Sequence, residues 1–373
     1  MKKIIAVICL SLFVFPFIVR ANEAVIVEPK DVVFEAKVLE VLEEQEITRE
    51  SGNTAIQQHL RLEGLEGDWK FKKFEVNGIG GLDVVGGVEA SVGDKVIVTY
   101  SLSIDGSEKF IITDFVRLNY LYLLVAIFVF LIIGIGRWTG VKAIGSLVLS
   151  FVVIMWFVIP RIISGSSPLL ISLLGAIVIL ALIIYIHWGF KVKAHIATVS
   201  IFISLLITGL VSIIFTHLTK LSGLADDNVL YLVGQSGVNI QFEGLLLAGI
   251  IIGTLGVLDD VVISQVSIVE QLKEVNPKIS MMEAFTRGMK IGVDHLSSMT
   301  NTLFLAYAGA SLPLLLLFHL RQEPFMKISQ VLNNQMIATE IVRTLVGSIG
   351  LILAVPIATF FAAYYLKVKK EKN

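Results

Sequence analysis

Two adjacent carboxylates, Asp259 and Asp260, lie within an apolar run, residues 242–266, that is long enough to cross a bilayer. A charged side chain near the bilayer centre costs roughly 2.5–3.5 kcal/mol on insertion scales, and such residues usually face a bundle interior or a water-filled path. Asp260 and Ser264 are one helical turn apart and share a stripe, whereas Asp259 points about 100° away. This pair is the first candidate for ion or proton chemistry.

The next helical segment adds further oxygen-bearing side chains. Asp294, Thr300 and Asn301 follow one another over two turns and carry polarity into the predicted membrane region. Together with Asp260 they predict an oxygen-rich pocket, which suits a proton or a hard cation such as Na⁺, Mg²⁺ or Ca²⁺.

A purely structural interpretation of the same residues stays open. Asp259 or Asp260 then pairs with Arg287 or Lys290 at the inner membrane boundary and holds two helices together, with His295 on an adjacent face. A second ion pair is predicted where the last span opens, because two oppositely charged residues lie there at i and i+3: Glu340 and Arg343.

Composition settles the broad class. Apolar residues make up 55% of the 373 residues and charged residues 16%, whereas a soluble domain carries about a quarter charged residues. The net charge of −1 and the lack of a basic run argue against nucleic-acid binding. The single cysteine, Cys9, excludes disulfides and cysteine metal sites. We find no catalytic, metal or cofactor motif and predict no enzyme, metal or cofactor.

The N-terminal third is predicted to be an exported domain. Residues 1–21 have the basic start and apolar stretch of a signal peptide, with an uncleaved anchor as the alternative. Residues 22–117 alternate as strands do and contain glycine turns, which predicts a small β-barrel of the oligonucleotide/oligosaccharide-binding type or a sandwich. The five candidate strands are Val32–Leu42, Ala55–Leu62, Lys70–Val76, Lys95–Ser103 and Phe110–Arg117.

Residues 118–366 are predicted to form a mainly α-helical polytopic membrane bundle. Apolar runs of spanning length recur seven times, at about 120–136, 141–160, 168–187, 195–216, 242–266, 297–319 and 342–366. With the N-terminal domain outside, twelve basic residues of the short loops and tail lie inside and five outside. The basic tail, residues 367–373, is then cytoplasmic.

Three segments closely resemble the YibE/F family of bacterial multi-pass membrane proteins: residues 253–265, 292–318 and 343–357. The resemblance covers about residues 120 to 366. It places Asp260 on the aspartate of the family's fifth-span motif, Asp294 on its glycine-x-aspartate motif, and Thr300 and Asn301 on its threonine-asparagine-threonine run. Asp259 matches only a subset of members, and Val293 stands where arginine is expected.

The resemblance implies a bacterial plasma-membrane location and leaves the chemistry unassigned. We consider two functions: a small-solute or ion transporter using Asp260 and Asp294, and a non-transporting scaffold or sensor whose exported domain binds an envelope partner. The expected partners are the lipid bilayer, a small ion or solute, an envelope protein or a second copy of the chain, and no nucleic acid.

Overall fold

The computed structural model describes residues 32–48, 54–80, 88–102, 108–225, 229, 232–233, 240–320 and 327–366. The predicted signal segment, residues 1–21, and the predicted basic tail, residues 367–373, lie outside these ranges. The chain divides into two compact units, one ending at Ile127 and the other beginning at Phe128.

The N-terminal unit contains one five-stranded antiparallel sheet in the order β3-β2-β1-β4-β5. Its strands are β1 Val32–Thr48, β2 Thr54–Gly64, β3 Lys73–Asn77, β4 Lys95–Leu102 and β5 Glu108–Phe115. All five predicted strands are therefore present, with shifted ends. The start of β3 moves from Lys70 to Lys73 because Gly67–Trp69 form a short 3-10 turn before it.

Aromatic rings bring the two edge strands of this sheet together. Phe74 of β3 and Phe110 of β5 are stacked with ring centroids 4.6 Å apart, and Trp69 meets Phe110 edge-on at 4.8 Å. The sheet thus curls around its apolar residues, of which Val38, Leu62 and Val96 are fully buried. One curled sheet fits the barrel-like prediction, and the described strands do not form the two sheets of a sandwich.

The rest of the described chain is helical. The elements are α1 Leu118–Val153, which continues through a π-helical turn at Ile154–Val158 into α2 Ile159–Ile163, then α3 Pro168–Trp188, α4 Val192–Leu218, α5 Phe242–Val275, α6 Met281–Ala310, α7 Leu312–His319, α8 Ile328–Leu332 and α9 Gln335–Tyr365. Within the described ranges, five helical stretches are long and apolar enough to cross a membrane: Leu118–Ile163, α3, α4, α5 and α9.

The helix starts follow from local sequence. Ser280 Oγ accepts the backbone N–H of Glu283 at the start of α6, and Asn334 Oδ1 accepts that of Met336 at the start of α9. Both side chains are N-caps, which satisfy backbone donors that have no partner inside the helix. Pro168 opens α3, where its missing N–H is harmless.

The backbone of α1 reverses at Arg137, whose φ of 49° and ψ of −125° are not helical. A Cβ atom on Gly140 would lie 2.1 Å from the carbonyl oxygen of Ile132. Residues eight apart in a straight helix are separated by about 12 Å along the axis, so the two arms of α1 must fold back on each other. The turn lies between the predicted spans 120–136 and 141–160.

The packed core of the helical unit is formed by α4, α5, α6 and α9, with α3 against α5. Fully buried apolar residues from all four of these helices share one cluster, which includes Leu205 of α4, Leu258 of α5, Ala284 of α6 and Ala358 of α9. The helix backbones approach closely where a glycine lies between them. A Cβ on Gly350 of α9, for example, would meet Thr208 Oγ1 of α4 at 2.1 Å.

Several predicted spans differ from the observed helices in their ends; the predicted span 342–366, for example, lies almost entirely within α9, which begins at Gln335. The predicted span 242–266 lies within α5, which continues to Val275. The predicted span 297–319 covers the end of α6 and all of α7, because α6 begins at its cap near residue 280 and a turn at Ser311 precedes α7. By length and composition neither α6 nor α7 is among the five membrane-spanning candidates of the described chain.

Candidate functional site

One side of α5 is open and carries Asp260. Gly249, Gly253, Gly256, Asp260 and Ser264 recur at three- and four-residue intervals, so they share a stripe on the helix. The three glycines and Asp260 are exposed, and Ser264 is half-buried. A Cβ on Gly249 or Gly256 would meet nothing within 4 Å. The described chain therefore leaves free space along this stripe.

The two adjacent aspartates of α5 differ in their surroundings. Asp259 is half-buried, and its Oδ1 accepts the backbone N–H of Asp260 at 2.9 Å. The Asp260 carboxylate has no hydrogen-bond or ion-pair partner among the described residues. Of the two carboxylates, Asp260 is thus the more exposed and the less engaged in the described structure.

Polar residues of α6 are similarly uncovered. Asp294, Ser298 and Asn301 lie at i, i+4 and i+7 and are all exposed. No side-chain partner is present for the Asp294 carboxylate or the Asn301 amide within the described ranges. The helix therefore presents a second open polar stripe beside α5.

Contacts between α5 and α6 set their relative level. A Cβ on Gly253 would lie 3.1 Å from the hydroxyl of Tyr307, and one on Gly292 would lie 2.8 Å from the amide of Gln265. Since the pairing runs in opposite directions along the two helices, they are antiparallel. Asp260 lies seven residues after Gly253 on α5, and Thr300 lies seven residues before Tyr307 on α6. Seven residues are about two helical turns, so Asp260 and Thr300 lie at the same level of the two helices.

Thr300 adds an unsatisfied hydroxyl at that level. Its Oγ1 is buried and has no hydrogen-bond partner in the described part of the chain. A buried hydroxyl that lacks a partner costs about 1–3 kcal/mol, so a site with room for a ligand or water beside it is favoured. Helix periodicity thus places two of the predicted site residues, Asp260 and Thr300, at one level of the α5–α6 pair.

Within the described ranges, none of the predicted counter-ions Arg287, Lys290 and His295 pairs with Asp259 or Asp260. Arg287 Nη2 lies 2.7 Å from Glu283 Oε1, one turn earlier on the same helix. Neither Lys290 nor His295 has a hydrogen-bond or ion-pair partner among the described side chains. The predicted pairing of Asp259 or Asp260 with Arg287 or Lys290 is therefore absent from the described residues. Arg287 pairs instead with Glu283, which lies four residues earlier on the same helix.

The predicted pair at the start of α9 is present. Arg343 Nη1 donates to Glu340 Oε1 at 2.8 Å, and both side chains are about 30% exposed. Arg343 Nε is buried and has no partner in the described ranges. This pair lies on a different helix from the Asp260 stripe.

Sequence reasoning missed the role of Gln265. Its Nε2 donates to the carbonyl oxygen of Gly288 at 2.8 Å and to Thr359 Oγ1 at 2.7 Å, and only 2% of the residue is exposed. It therefore links α5, α6 and α9. The partners are 23 and 94 residues away in the chain, so no local signal could have identified them.

The junction around Gln265 depends on two glycines of α6. A Cβ on Gly292 would meet Gln265 and Val355 at 2.8 Å, and one on Gly288 would meet Thr359 and Val269 at 3.0 Å. The four-residue spacing of Gly288 and Gly292 was a readable signal for a close helix contact. The junction fixes the helices on which Asp260 and Asp294 lie.

The described residues contain no group of three or more His, Cys, Asp or Glu side chains that could hold a metal ion.

Comparison with known proteins gives one match. The profile of a family described as YibE/F-like protein matches residues 124–368, which is more than half of the chain. The match includes Asp260, Asp294 and Gln265 and excludes the strands of the N-terminal unit. No curated protein and no solved structure shows a significant match.

Proposed function

The chain belongs to the YibE/F family, and from this premise we propose that it is a bacterial plasma-membrane transporter or permease for a small solute or ion. In this proposal the solute or ion passes Asp260 of α5 and Asp294 of α6. The supporting observation is that neither carboxylate has an ion-pair partner among the described residues.

The physical argument concerns the charge of these carboxylates. An ionised aspartate facing lipid is strongly disfavoured, so it must be hydrated, protonated or neutralised by a cation. Arg287 does not neutralise Asp260, because it pairs with Glu283. A mobile cation or proton can supply the missing positive charge, and its exchange between the two sides of the membrane constitutes transport.

The shape of α5 supports a path beside Asp260. A Cβ on Gly249 or Gly256 would meet no atom of a neighbouring helix within 4 Å, so these two positions of the stripe are left free by the described residues. Glycine in such a place leaves width for a hydrated ion, and its backbone carbonyls add oxygen ligands.

Flux through the reconstituted protein tests this proposal. Asp260→Asn and Asp294→Asn are placed in liposomes with an internal pH dye, under an imposed gradient of H⁺, Na⁺ or Mg²⁺. We expect at least a tenfold loss of flux with unchanged thermal stability. Glu274→Gln, an exposed change near the end of the same α5 helix, is the control and retains full flux. Normal flux in both aspartate variants would disprove the proposal.

We further propose that the chain crosses the membrane seven times, with its N-terminal domain outside. The reversal at Arg137 supports two crossings within Leu118–Ile163, and α6 with α7 supplies the remaining one. In a Cys9→Ser background, the new thiol of Gly136→Cys is then protected from an impermeant thiol reagent added to cells, whereas that of Ser164→Cys is labelled. Protection at both positions would show a single crossing.

A specific feature of the sheet domain supports the alternative function, a sensor or scaffold. Phe71 is 73% exposed at a φ of 63°, an unfavourable conformation for a bulky residue. Lys70 and Lys72 flank it, and such an exposed aromatic beside lysines suits an acidic partner surface. In this alternative Phe71→Ser abolishes partner capture by the full-length protein, whereas Asp260→Asn leaves capture unchanged.

A further inference from the structure

One face of α4 carries hydroxyl residues at every fourth position along five turns. The residues are all fully buried: Ser200, Ser204, Thr208, Ser212 and Thr216. The middle member, Thr208, lies against Gly350 of α9, where a Cβ would approach its Oγ1 to 2.1 Å. The hydroxyl face of α4 therefore lies in a seam with α9, whereas Asp260 lies on α5.

The five hydroxyls fall into two groups. Ser200, Ser204 and Thr208 each donate to the backbone carbonyl four residues earlier, at 2.8 to 2.9 Å. Ser212 Oγ and Thr216 Oγ1 have no hydrogen-bond partner in the described ranges, although the same kind of carbonyl precedes them. These two hydroxyls are therefore buried without a hydrogen bond to their own helix.

The facing end of α9 carries unsatisfied polar atoms as well. Thr339 Oγ1 and Arg343 Nε are buried without a partner among the described atoms, and only 7% of Thr339 is exposed. Residues late in α4 pack with residues early in α9, since Val211 contacts the cluster of Val342 and Val346. The two helices are thus antiparallel.

The register then places the unsatisfied atoms together. Thr208 lies opposite Gly350, so Thr216, eight residues later, lies opposite Val342, eight residues earlier. Arg343 is the next residue of α9, and Thr339 lies one turn further along. The C-terminal half of α4 and the N-terminal half of α9 therefore enclose hydroxyls from both sides.

The chemistry of these groups selects the occupant. A serine or threonine hydroxyl both donates and accepts, while Arg343 Nε only donates. The charge of Arg343 is already balanced by Glu340 at 2.8 Å, so the seam has no net charge that would favour a bare ion of either sign. Water matches this set, because it donates and accepts and needs two to four polar partners.

We propose that this half of the α4–α9 seam is a hydrated cavity whose bound water satisfies Ser212, Thr216, Thr339 and Arg343. The other half, from Ser200 to Thr208, is dry, because its hydroxyls bond to their own backbone. The cavity does not depend on the proposed transport function.

Cysteine substitution and radiolytic labelling test the cavity. The chain has a single cysteine, so Cys9→Ser provides a clean background. In this background Ser212→Cys, Thr216→Cys, Ser200→Cys and Ser204→Cys are each exposed, in lipid nanodiscs, to hydroxyl radicals produced by X-ray radiolysis of water. All four parent positions are equally buried, so burial alone predicts equal oxidation. We expect oxidation at 212 and 216 to be at least tenfold faster than at 200 and 204, and equal rates would overturn the proposal.

An isosteric pair of variants gives an independent check. Thr216→Val removes a hydroxyl without changing the volume of the side chain. In a dry seam this change relieves an unpaired buried group and raises the melting temperature. In a hydrated seam it removes a hydrogen bond to water and lowers the melting temperature. We expect a decrease of a few degrees, and an increase would contradict the cavity. Thr208→Val, whose hydroxyl bonds to its own helix, is the matched control.

Discussion

Gln265 Nε2 lies 2.7 Å from Thr359 Oγ1 and 2.8 Å from the carbonyl oxygen of Gly288, so a single side chain joins α5 to both α9 and α6. Inside a membrane bundle, helices are held by close packing and interhelical hydrogen bonds rather than by burial from water. The amide therefore acts as a fixed connection directly next to the two candidate stripes.

We expect Gln265→Ala to destabilise the helical bundle by about 2–3 kcal/mol. The substitution removes the two interhelical hydrogen bonds of the Gln265 amide and creates a cavity. Thermal unfolding in detergent, followed by the loss of monodisperse protein, measures the effect. Ser267→Ala, a half-buried position two residues along the same helix, is the control and changes stability by less than about 0.5 kcal/mol.

Gly292→Ala is expected to be destabilising, by about 1–3 kcal/mol, because the new Cβ would lie 2.8 Å from Gln265 and Val355. Gly309→Ala in the same helix meets nothing within 4 Å and is expected to be neutral or slightly stabilising, since alanine favours a helix over glycine. Melting temperatures of the two variants provide the comparison. A lower melting temperature for Gly309→Ala than for Gly292→Ala would refute the described packing.

Lys273 connects the end of α5 to the end of α9. Its Nζ donates to the carbonyl oxygens of Ala363 at 2.5 Å and Leu366 at 2.7 Å, which are unsatisfied ends of α9. Lys273→Met keeps the aliphatic stem but removes the donor. We expect faster hydrogen exchange over the last turn of α9 and little change elsewhere. Lys278→Met, a change in the loop after α5, serves as the control and leaves the exchange of α9 unaltered.

The sheet domain is expected to lose stability in acid through Glu75. The hydrogen bond from Arg61 lowers the pKa of the Glu75 carboxyl below its usual 4.5. A carboxylate with a lowered pKa stabilises the folded state above its unfolded pKa, and this contribution is lost as the pH falls through the folded pKa. Below about pH 4.5, the reference value of this carboxyl, the wild-type domain therefore becomes progressively less stable.

Glu75→Gln tests this pH dependence because the amide does not titrate. The fluorescence of Trp69 reports unfolding of the domain in a chain whose other three tryptophans are changed to phenylalanine. We expect the stability of Glu75→Gln to fall less steeply below pH 4.5 than that of the parent. Glu43→Gln, at an exposed position of β1, is the control. Identical slopes for the parent and Glu75→Gln would refute the role of this carboxyl.

Much of the fold was readable from the sequence, and for clear reasons. The alternation of apolar and polar residues predicted the five strands of the sheet domain. Long apolar runs predicted the central parts of α3, α4, α5 and α9. The helix ends were less accurate, because the cap at Ser280 begins α6 well before its apolar part. Apolar length alone contains no information about such a cap.

The candidate site was predicted only in its residue types. Asp260, Asp294 and Asn301 were recognisable as polar groups in apolar surroundings. Arg287 forms an ion pair, but its partner is Glu283, one turn away on the same helix, rather than an aspartate of α5. The sequence also shows the hydroxyl residues of α4 at every fourth position, but no site was predicted from them. The bond from Gln265 to Thr359 spans 94 residues and follows only from tertiary packing.

The position of α9 in the chain has a consequence for biosynthesis. It is the last described helix, yet it supplies Thr359 for Gln265 and Gly350 for Thr208. After α4 ends at Leu218, more than a hundred residues are synthesised before α9 begins at Gln335. Until α9 is synthesised, the hydroxyl face of α4 and the Gln265 amide lack the helix that covers them in the folded chain. A chain that stops before Gln335 therefore leaves polar groups unpaired on two different helices.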